Sequence, residues 1–387
     1  MLSQLSTAQK TQAISSKIEN YSKGNLEIKV APFGLDGNEI KVGYISSDGS
    51  IHLAWPEINL EDYRSSGLMM NELDFLLGMY NCHDEKIEEK NEEIKAADTK
   101  FFMLYKYDQY VGSLHPASHK DITKSTDLLT IGSYFSWYYS DGDGKLNAVC
   151  TSYNHLKDSN EVDINNIRNT KTFNINFKKG WNLVEHKLAE VRDQEINGQL
   201  MTTRYKEEKL SIDELPITVN WHLNYFANDE LLEFEHNLVA LSPLTKQDFE
   251  RWMPKELGDL KRTDYELGKI LERLPITNNV NLLFEKGLKT IDIIIVDCAG
   301  SKDGAGMYTM MHGMASRDWK DKTETGYRSA SVMDDQRVMI DYNELEVKTI
   351  LSYNAKDRFL IKAEATNIEP QELWNHLKTL HLDTLME

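Results

Sequence analysis

Apolar and polar side chains alternate through the first third of the chain. Leu26-Glu27-Ile28-Lys29-Val30, Glu39-Ile40-Lys41-Val42-Gly43-Tyr44-Ile45 and Ser50-Ile51-His52-Leu53-Ala54-Trp55 repeat with a period of two, which predicts strands with one buried and one solvated face. Asp36-Gly37-Asn38 and Ser47-Asp48-Gly49-Ser50 lie between them and supply the positive φ angles of tight hairpins, so this segment reads as a small antiparallel meander. The period changes at Gly67–Gly78, where helical spacing of apolar residues predicts a short buried helix. Asp84–Asp98 is dominated by Glu and Lys around Ile87 and Ile94, the composition of a solvated helix or a mobile insertion.

Strand patterns resume at Phe101–Tyr107, Leu129–Tyr139, Leu146–Thr151, Thr172–Phe177 and Trp181–Ala189. Tyr134, Phe135, Trp137, Tyr138 and Tyr139 put large rings on both faces of one strand. That distribution suits a central strand of a sandwich, or a strand with one face kept for a ligand. Residues 193–213 are polar and read as irregular, with order returning at Pro216–Trp221. Ser242-Pro243 precedes a helical pattern at Thr245–Met253. Beyond it, Ile291–Cys298, Tyr327–Met333, Arg337–Tyr342, Val347–Tyr353 and Arg358–Ala363 predict an antiparallel sheet. A closing helix at Glu369–Leu380 presents Leu373, Trp374, Leu377 and Leu380 to one side of that sheet, with Asn367 and Pro370 marking its start.

The expected fold is therefore α+β and predominantly β, an antiparallel β-sandwich part followed by a C-terminal antiparallel sheet packed with a terminal helix. Its domains are expected at 1–65, 66–243 and 244–387, since 387 residues exceed the usual single-domain range.

Charge narrows the partners. With 62 acidic against 44 basic residues the formal charge is -18, which disfavours nucleic acid and anionic headgroups and leaves cationic, neutral or protein partners. No apolar run is long enough to cross a bilayer. Met1–Thr7 has neither a basic head nor an apolar core, so the expectation is a cytoplasmic protein or one whose export signal has been removed. Of the three cysteines, Cys298 follows an apolar strand and reads as a buried thiol, whereas Cys82 and Cys150 flank a β-rich stretch and are the candidate disulfide. The alternative is that all three remain reduced, the usual state in a cytosolic protein.

Candidate chemistry is sparse. Tyr134, Trp137, Tyr139, Trp181 and Trp221 are the candidate ligand-binding residues, with core packing as the competing reading. Asp141, Asp143 and Asn147 sit in Asp141-Gly142-Asp143-Gly144-Lys145-Leu146-Asn147 as a candidate calcium site. An EF-hand register places Tyr139 and Cys150 at the end positions, where calcium needs carboxylates, so a hairpin turn competes there. No other cofactor is expected. His115 and His119 are four apart, but Pro116 removes the helix that would align them for zinc. Met307–Met314 holds four methionines in eight residues and reads as a core helix rather than a copper or ligand site. Asp334-Asp335 and Glu233-Glu235 read as hairpin and surface charge. No nucleophile elbow, phosphate loop or His-Glu-x-x-His helix occurs.

Met253-Pro254-Lys255-Glu256-Leu257-Gly258, the Asp297-Cys298-Ala299-Gly300 strand end, Thr325-Gly326-Tyr327, Asp357-Arg358-Phe359-Leu360-Ile361 and the Leu373-Trp374 helix follow in order. Together they resemble an uncharacterised module of bacterial, especially Bacteroidetes, envelope proteins, covering about residues 244–387. The N-terminal meander is similar in layout to transthyretin-like β-domains. The resemblance implies a periplasmic or outer-membrane-associated protein with its signal removed, compatible with a lipid anchor outside this sequence. The expected function is non-enzymatic binding of a protein or small ligand. The alternatives are a hydrolase acting on glycan or peptide and a cytoplasmic interaction protein.

Overall fold

The computed structural model describes residues 16–33, 39–66, 70–72, 77, 82, 84–90, 94–99, 101–123, 129–157, 163–196, 199–268 and 278–386. The chain forms two compact units, residues 1–227 and 228–387. Strands predominate in both, and the second unit ends in a helix.

The first unit is one extensive sheet. Its strands are β1 (Ser16–Lys17), β2 (Leu26–Val30), β3 (Ile40–Ile45), β4 (Ser50–Leu53), β5 (Asn71–Glu72), β6 (Asp84–Lys90), β7 (Lys95–Asp98) and β8 (Phe102–Lys106), then β9 (Gln109–Ala117), β10 (Gly132–Ser140), β11 (Gly144–Lys157), β12 (Asp163–Phe177), β13 (Gly180–Ile196), β14 (Gln199–Ile212) and β15 (Asn220–Tyr225). The path runs β1-β4-β3-β2-β8-β9-β10-β13-β14-β12-β11-β6, with β15 on β9 and β7 on β10. These pairs are antiparallel except β12 with β14. Period-two burial is clearest at β2, where Leu26, Ile28 and Val30 are buried while Glu27 and Lys29 are not.

Two polar stretches depart from the reading of the sequence. Asp84–Asp98 forms β6 and β7 rather than a solvated helix. β6 pairs with β11 at one end of the strand path, where charged side chains suit an edge that must not recruit further strands. Residues 193–213 belong largely to the β13–β14 hairpin. Charge pairing supports it in place of apolar burial: Lys187 and Lys206 both reach Glu208, at 3.1 and 2.8 Å, and the Arg192 guanidinium lies 3.6 Å from the Tyr205 ring centre. Of the helix expected at Gly67–Gly78, Asn71-Glu72 is strand β5. Most of that segment, like the Asp36-Gly37-Asn38 turn, lies outside the described residues.

The second unit begins with α1 (Asp229–Ala240), whose N-cap Asn228 accepts from the Glu230 and Leu231 amides. α2 (Lys246–Trp252) starts at a capping box made by Thr245 and Asp248. The nine-stranded sheet follows in the order β16-β17-β18-β19-β24-β23-β22-β21-β20. Its strands are β16 (Glu256–Leu257), β17 (Leu260–Leu267), β18 (Asn279–Lys286), β19 (Lys289–Asp297), β20 (Trp319–Lys322), β21 (Gly326–Met333), β22 (Gln336–Asn343), β23 (Lys348–Ala355) and β24 (Phe359–Thr366). α3 (Lys302–Met314) lies between β19 and β20, and α4 (Pro370–Leu377) closes the chain.

Alternation along β19 serves both layers. Ile291, Ile293 and Ile295 join the core built with Phe249 of α2 and Leu373, Trp374 and Leu377 of α4. Ile294 and Val296 join the cluster with Leu238 of α1 and Met307 and Tyr308 of α3. Two expectations are adjusted. α4 ends at Leu377 and tightens into a 3-10 turn through Leu380, and its N-cap is Glu369 without a side-chain cap. Asn367 instead adopts φ 59° and its Nδ2 donates to the Leu288 carbonyl at 2.7 Å. In α3 the methionines split: Met307 is buried, but Met310 and Met314 are exposed, so the run is only partly a core element.

Candidate functional site

β10 is a central strand, hydrogen-bonded to β13, β9 and β7. Its odd positions carry Trp137 and Tyr139 to one face, where ring centres lie 5.3 Å from Trp137 to Trp55, 4.5 Å from Trp55 to Trp181 and 5.3 Å from Tyr139 to Trp181. Phe102 links Trp137 and Trp221, at 5.1 and 5.5 Å. Trp137, Tyr139 and Trp221 are buried. The polar handles of this cluster go to backbone: Trp181 Nε1 donates to the Pro56 carbonyl at 2.9 Å and Tyr139 donates to Ile58 at 3.0 Å. Four of the five candidate aromatics thus meet in one packed cluster. Trp55, which contacts Phe102, Trp137 and Trp181, was visible in the sequence only as the end of a strand. Tyr134 points to the opposite face, 43% exposed, and stacks on His186 at 4.5 Å.

The three candidate calcium ligands have separate partners. Asp141 accepts the Lys95 amide at 3.0 Å, and Asn147 donates to Glu89 at 3.3 Å. Asp143 accepts the Lys179 amide at 2.9 Å and the Lys178 ammonium at 3.2 Å, contacts that hold its carboxyl below the usual range. Among the described residues, no group of three His, Cys, Asp or Glu side chains is arranged to hold a metal ion. His115 lies on β9, directly opposite His222 on β15, and His119 follows the strand.

Cys82 and Cys150 form a disulfide with Cα atoms 5.5 Å apart. Cys298 is free and buried, and burial pushes its thiol up to about 12, which makes it unreactive. The Tyr134 face holds a buried polar cluster that periodicity does not reveal. His186 Nε2 lies 2.8 Å from Ser136 Oγ and 3.3 Å from the Tyr138 hydroxyl, while Nδ1 has no partner among the described residues. Burial lowers the His186 pKa well below the usual histidine value. Lys209, opposite His186 on β14, donates to the Leu77 carbonyl at 2.7 Å, and burial with the nearby Lys171 charge pulls it down to about 8. Ser136 and His186 have the contact of a nucleophile and its base, but both are buried.

The second unit carries an open cavity of about 310 Å3 between α3 and two hairpin turns. Tyr308, Met311 and Ala315 of α3 form one wall, Asp335 and Asp357 the rim, and Asn354 lies between them. Both turns use left-handed residues that are not glycine, with φ of 45° and 65° at Asp334 and Asp335 and of 55° and 50° at Lys356 and Asp357. Asp334 turns to the α4 side, accepting from Trp374 Nε1 at 3.0 Å and Lys378 at 2.6 Å. The sequence showed the turn but not that its two acids part to different sides. Glu235 of the other acid pair accepts from Thr309 on α3.

No family model matches the chain, and no curated protein or solved structure matches it. The residues themselves define a mostly β protein of two units with one disulfide. Among the described residues no helix is long and apolar enough to cross a membrane.

Proposed function

We propose that the protein is a non-enzymatic binding protein of the cell envelope, of the Bacteroidetes type that its C-terminal motifs resemble, acting in an oxidising compartment after export. The Cys82–Cys150 disulfide carries this reading. Such bonds persist in periplasmic and extracellular proteins and are rare in the reducing cytosol. Closing a loop of 68 residues, the bond stabilises the fold by about 4 kcal/mol on the chain-entropy model. The aromatic cluster serves as core, so binding is assigned to the open surface of the second unit.

Among the described residues, the carboxyls with shifted ionisation all move in one direction. Asp48, Asp143, Glu208, Asp248, Asp259 and Asp334 are all held below their usual range by hydrogen bonds and lysine, arginine or tryptophan partners. A glycosidase acid needs a shift in the opposite direction. The hydrolase alternative rests on the Ser136–His186 contact, which lacks an exposed nucleophile. Osmotic-shock fractionation of the source cells tests the location. Release with periplasmic or membrane markers is expected, and retention with cytosolic markers contradicts the proposal.

A further inference from the structure

β15 is the last strand before the second unit begins at Asn228, and among the described residues it pairs with β9 alone. Its two faces carry different residues. Trp221 is buried on one face, against Phe102 and Trp137. On the other, His222 lies directly opposite His115 of β9. The His115 Nε2 atom is 2.9 Å from Ser113 Oγ. The His222 ring hydrogen-bonds the Ala117 backbone, and its Nε2 is buried with no partner among the described residues. Nδ1 therefore makes the Ala117 bond, and a proton added at Nε2 would be a buried N–H without an acceptor. The titratable groups that act on the pair are all bases: His119 and Lys120, which follow β9, act on His222, and His222 acts on His115. Asp121 beside them is 3.4 Å from His119.

We propose that the His115–His222 pair is an acid-sensitive latch, whose neutral rings hold β15 on β9 and whose protonation releases the strand. Two imidazolium rings directly opposite on neighbouring strands repel, and His119 and Lys120 add to that repulsion. Burial lowers the pKa of both rings, with His222 adding to the shift at His115, and His119 and Lys120 to that at His222. A released strand carries ordinary histidines, which gain protons below pH about 6.5. The docked strand therefore binds fewer protons than the released one, and docking weakens as pH falls through that value. β15 suits local opening because it lies off the β1-to-β6 strand path, which its release leaves unbroken. Release also adds the six residues of β15 to the segment leading into the second unit. The latch is separate from His186, which lies on β13, and it does not depend on the compartment.

Hydrogen exchange of the full chain with its disulfide intact, read by mass spectrometry from pH 7.5 to 5.0, tests the latch. After correction for the intrinsic exchange rate, protection over Asn220–Tyr225 should fall by about tenfold or more across that range, while protection of β10 and β13 falls less. The fall should persist in His186→Gln and be lost in His115→Gln/His222→Gln, with each single variant retaining part of it. Constant protection of β15, an equal loss in β10 and β13, or an unchanged fall in the double variant overturns the proposal. The wild-type comparison and the single variants decide it even if the double variant fails to fold.

Discussion

Arg358 and Asp297 form a two-pronged ion pair inside the second unit, with Nε to Oδ1 at 2.8 Å and Nη2 to Oδ2 at 2.9 Å. The Asp297 side chain is fully buried and that of Arg358 is 15% exposed. Asp297 also accepts the Leu244 and Ala299 amides at 2.6 and 3.2 Å, while Arg358 donates to the Ser242 carbonyl at 2.8 Å. The pair thus ties the segment before α2 to the end of β19 and the start of β24. Asp297→Ala leaves a buried guanidinium without its partner and should destabilise the second unit by about 3–5 kcal/mol. Urea unfolding followed by tryptophan fluorescence reads this, and a loss under about 1 kcal/mol would contradict the assigned role.

Trp137 is expected to act through packing. Trp137→Ala should cost about 3–5 kcal/mol, and Trp137→Phe less, because the cluster with Trp55, Phe102 and Trp221 loses its middle ring. Thermal unfolding of both variants checks this. A surface ligand platform would instead leave stability nearly unchanged.

These two sites also separate what was legible in the sequence from what was not. The Asp297–Gly300 and Asp357–Phe359 motifs stood out locally, and Gly300 has a local reason, with φ 77° and Pro243 2.7 Å from where a Cβ would sit. Pairing across 61 positions depends on which strands become neighbours, and periodicity carries no such information. In the second unit β19 and β21 to β24 were readable because burial alternates along them, as at β23 and β24, whereas β16, β17, β18 and β20 were not read. β6 and the β13–β14 hairpin were not, because edge position and cross-strand charge replace apolar alternation there. His186 looked like an ordinary polar strand position, and Lys209 fell in the stretch read as irregular. Their burial arises only when β10, β13 and β14 align.

That burial predicts a pH dependence. His186 has a folded pKa well below its usual value, so below pH about 6.5 the unfolded chain binds the extra proton and the folded one resists it. Stability of the first unit should fall as pH drops through 6.5, and His186→Gln should flatten that slope. Lys209, at about 8 in the fold against 10.5 for an ordinary lysine, acts on the alkaline side. Between those values the unfolded state again holds more protons, so stability from this group rises with pH, and Lys209→Met should remove that component. Urea midpoints from pH 5 to 10 measure both. A wild-type slope of the opposite sign below pH 6.5 contradicts the burial of His186 as a neutral ring.

Reduction should act on the first unit alone. Cys82→Ser/Cys150→Ser is expected to lower the stability of that unit by about 2–4 kcal/mol and to leave urea unfolding of the Asp297–Arg358 unit unchanged. Equal unfolding of the oxidised and reduced proteins would show that the bond does not constrain the fold.

The most direct measurement for an exported binding protein is a peptide mass map of protein isolated from its source cells, with free thiols alkylated at lysis and digestion under non-reducing conditions. A linked peptide joining Cys82 to Cys150, with Cys298 unlinked, is the predicted result. Alkylated Cys82 and Cys150 recovered as separate peptides would place the chain in a reducing compartment and contradict the envelope assignment.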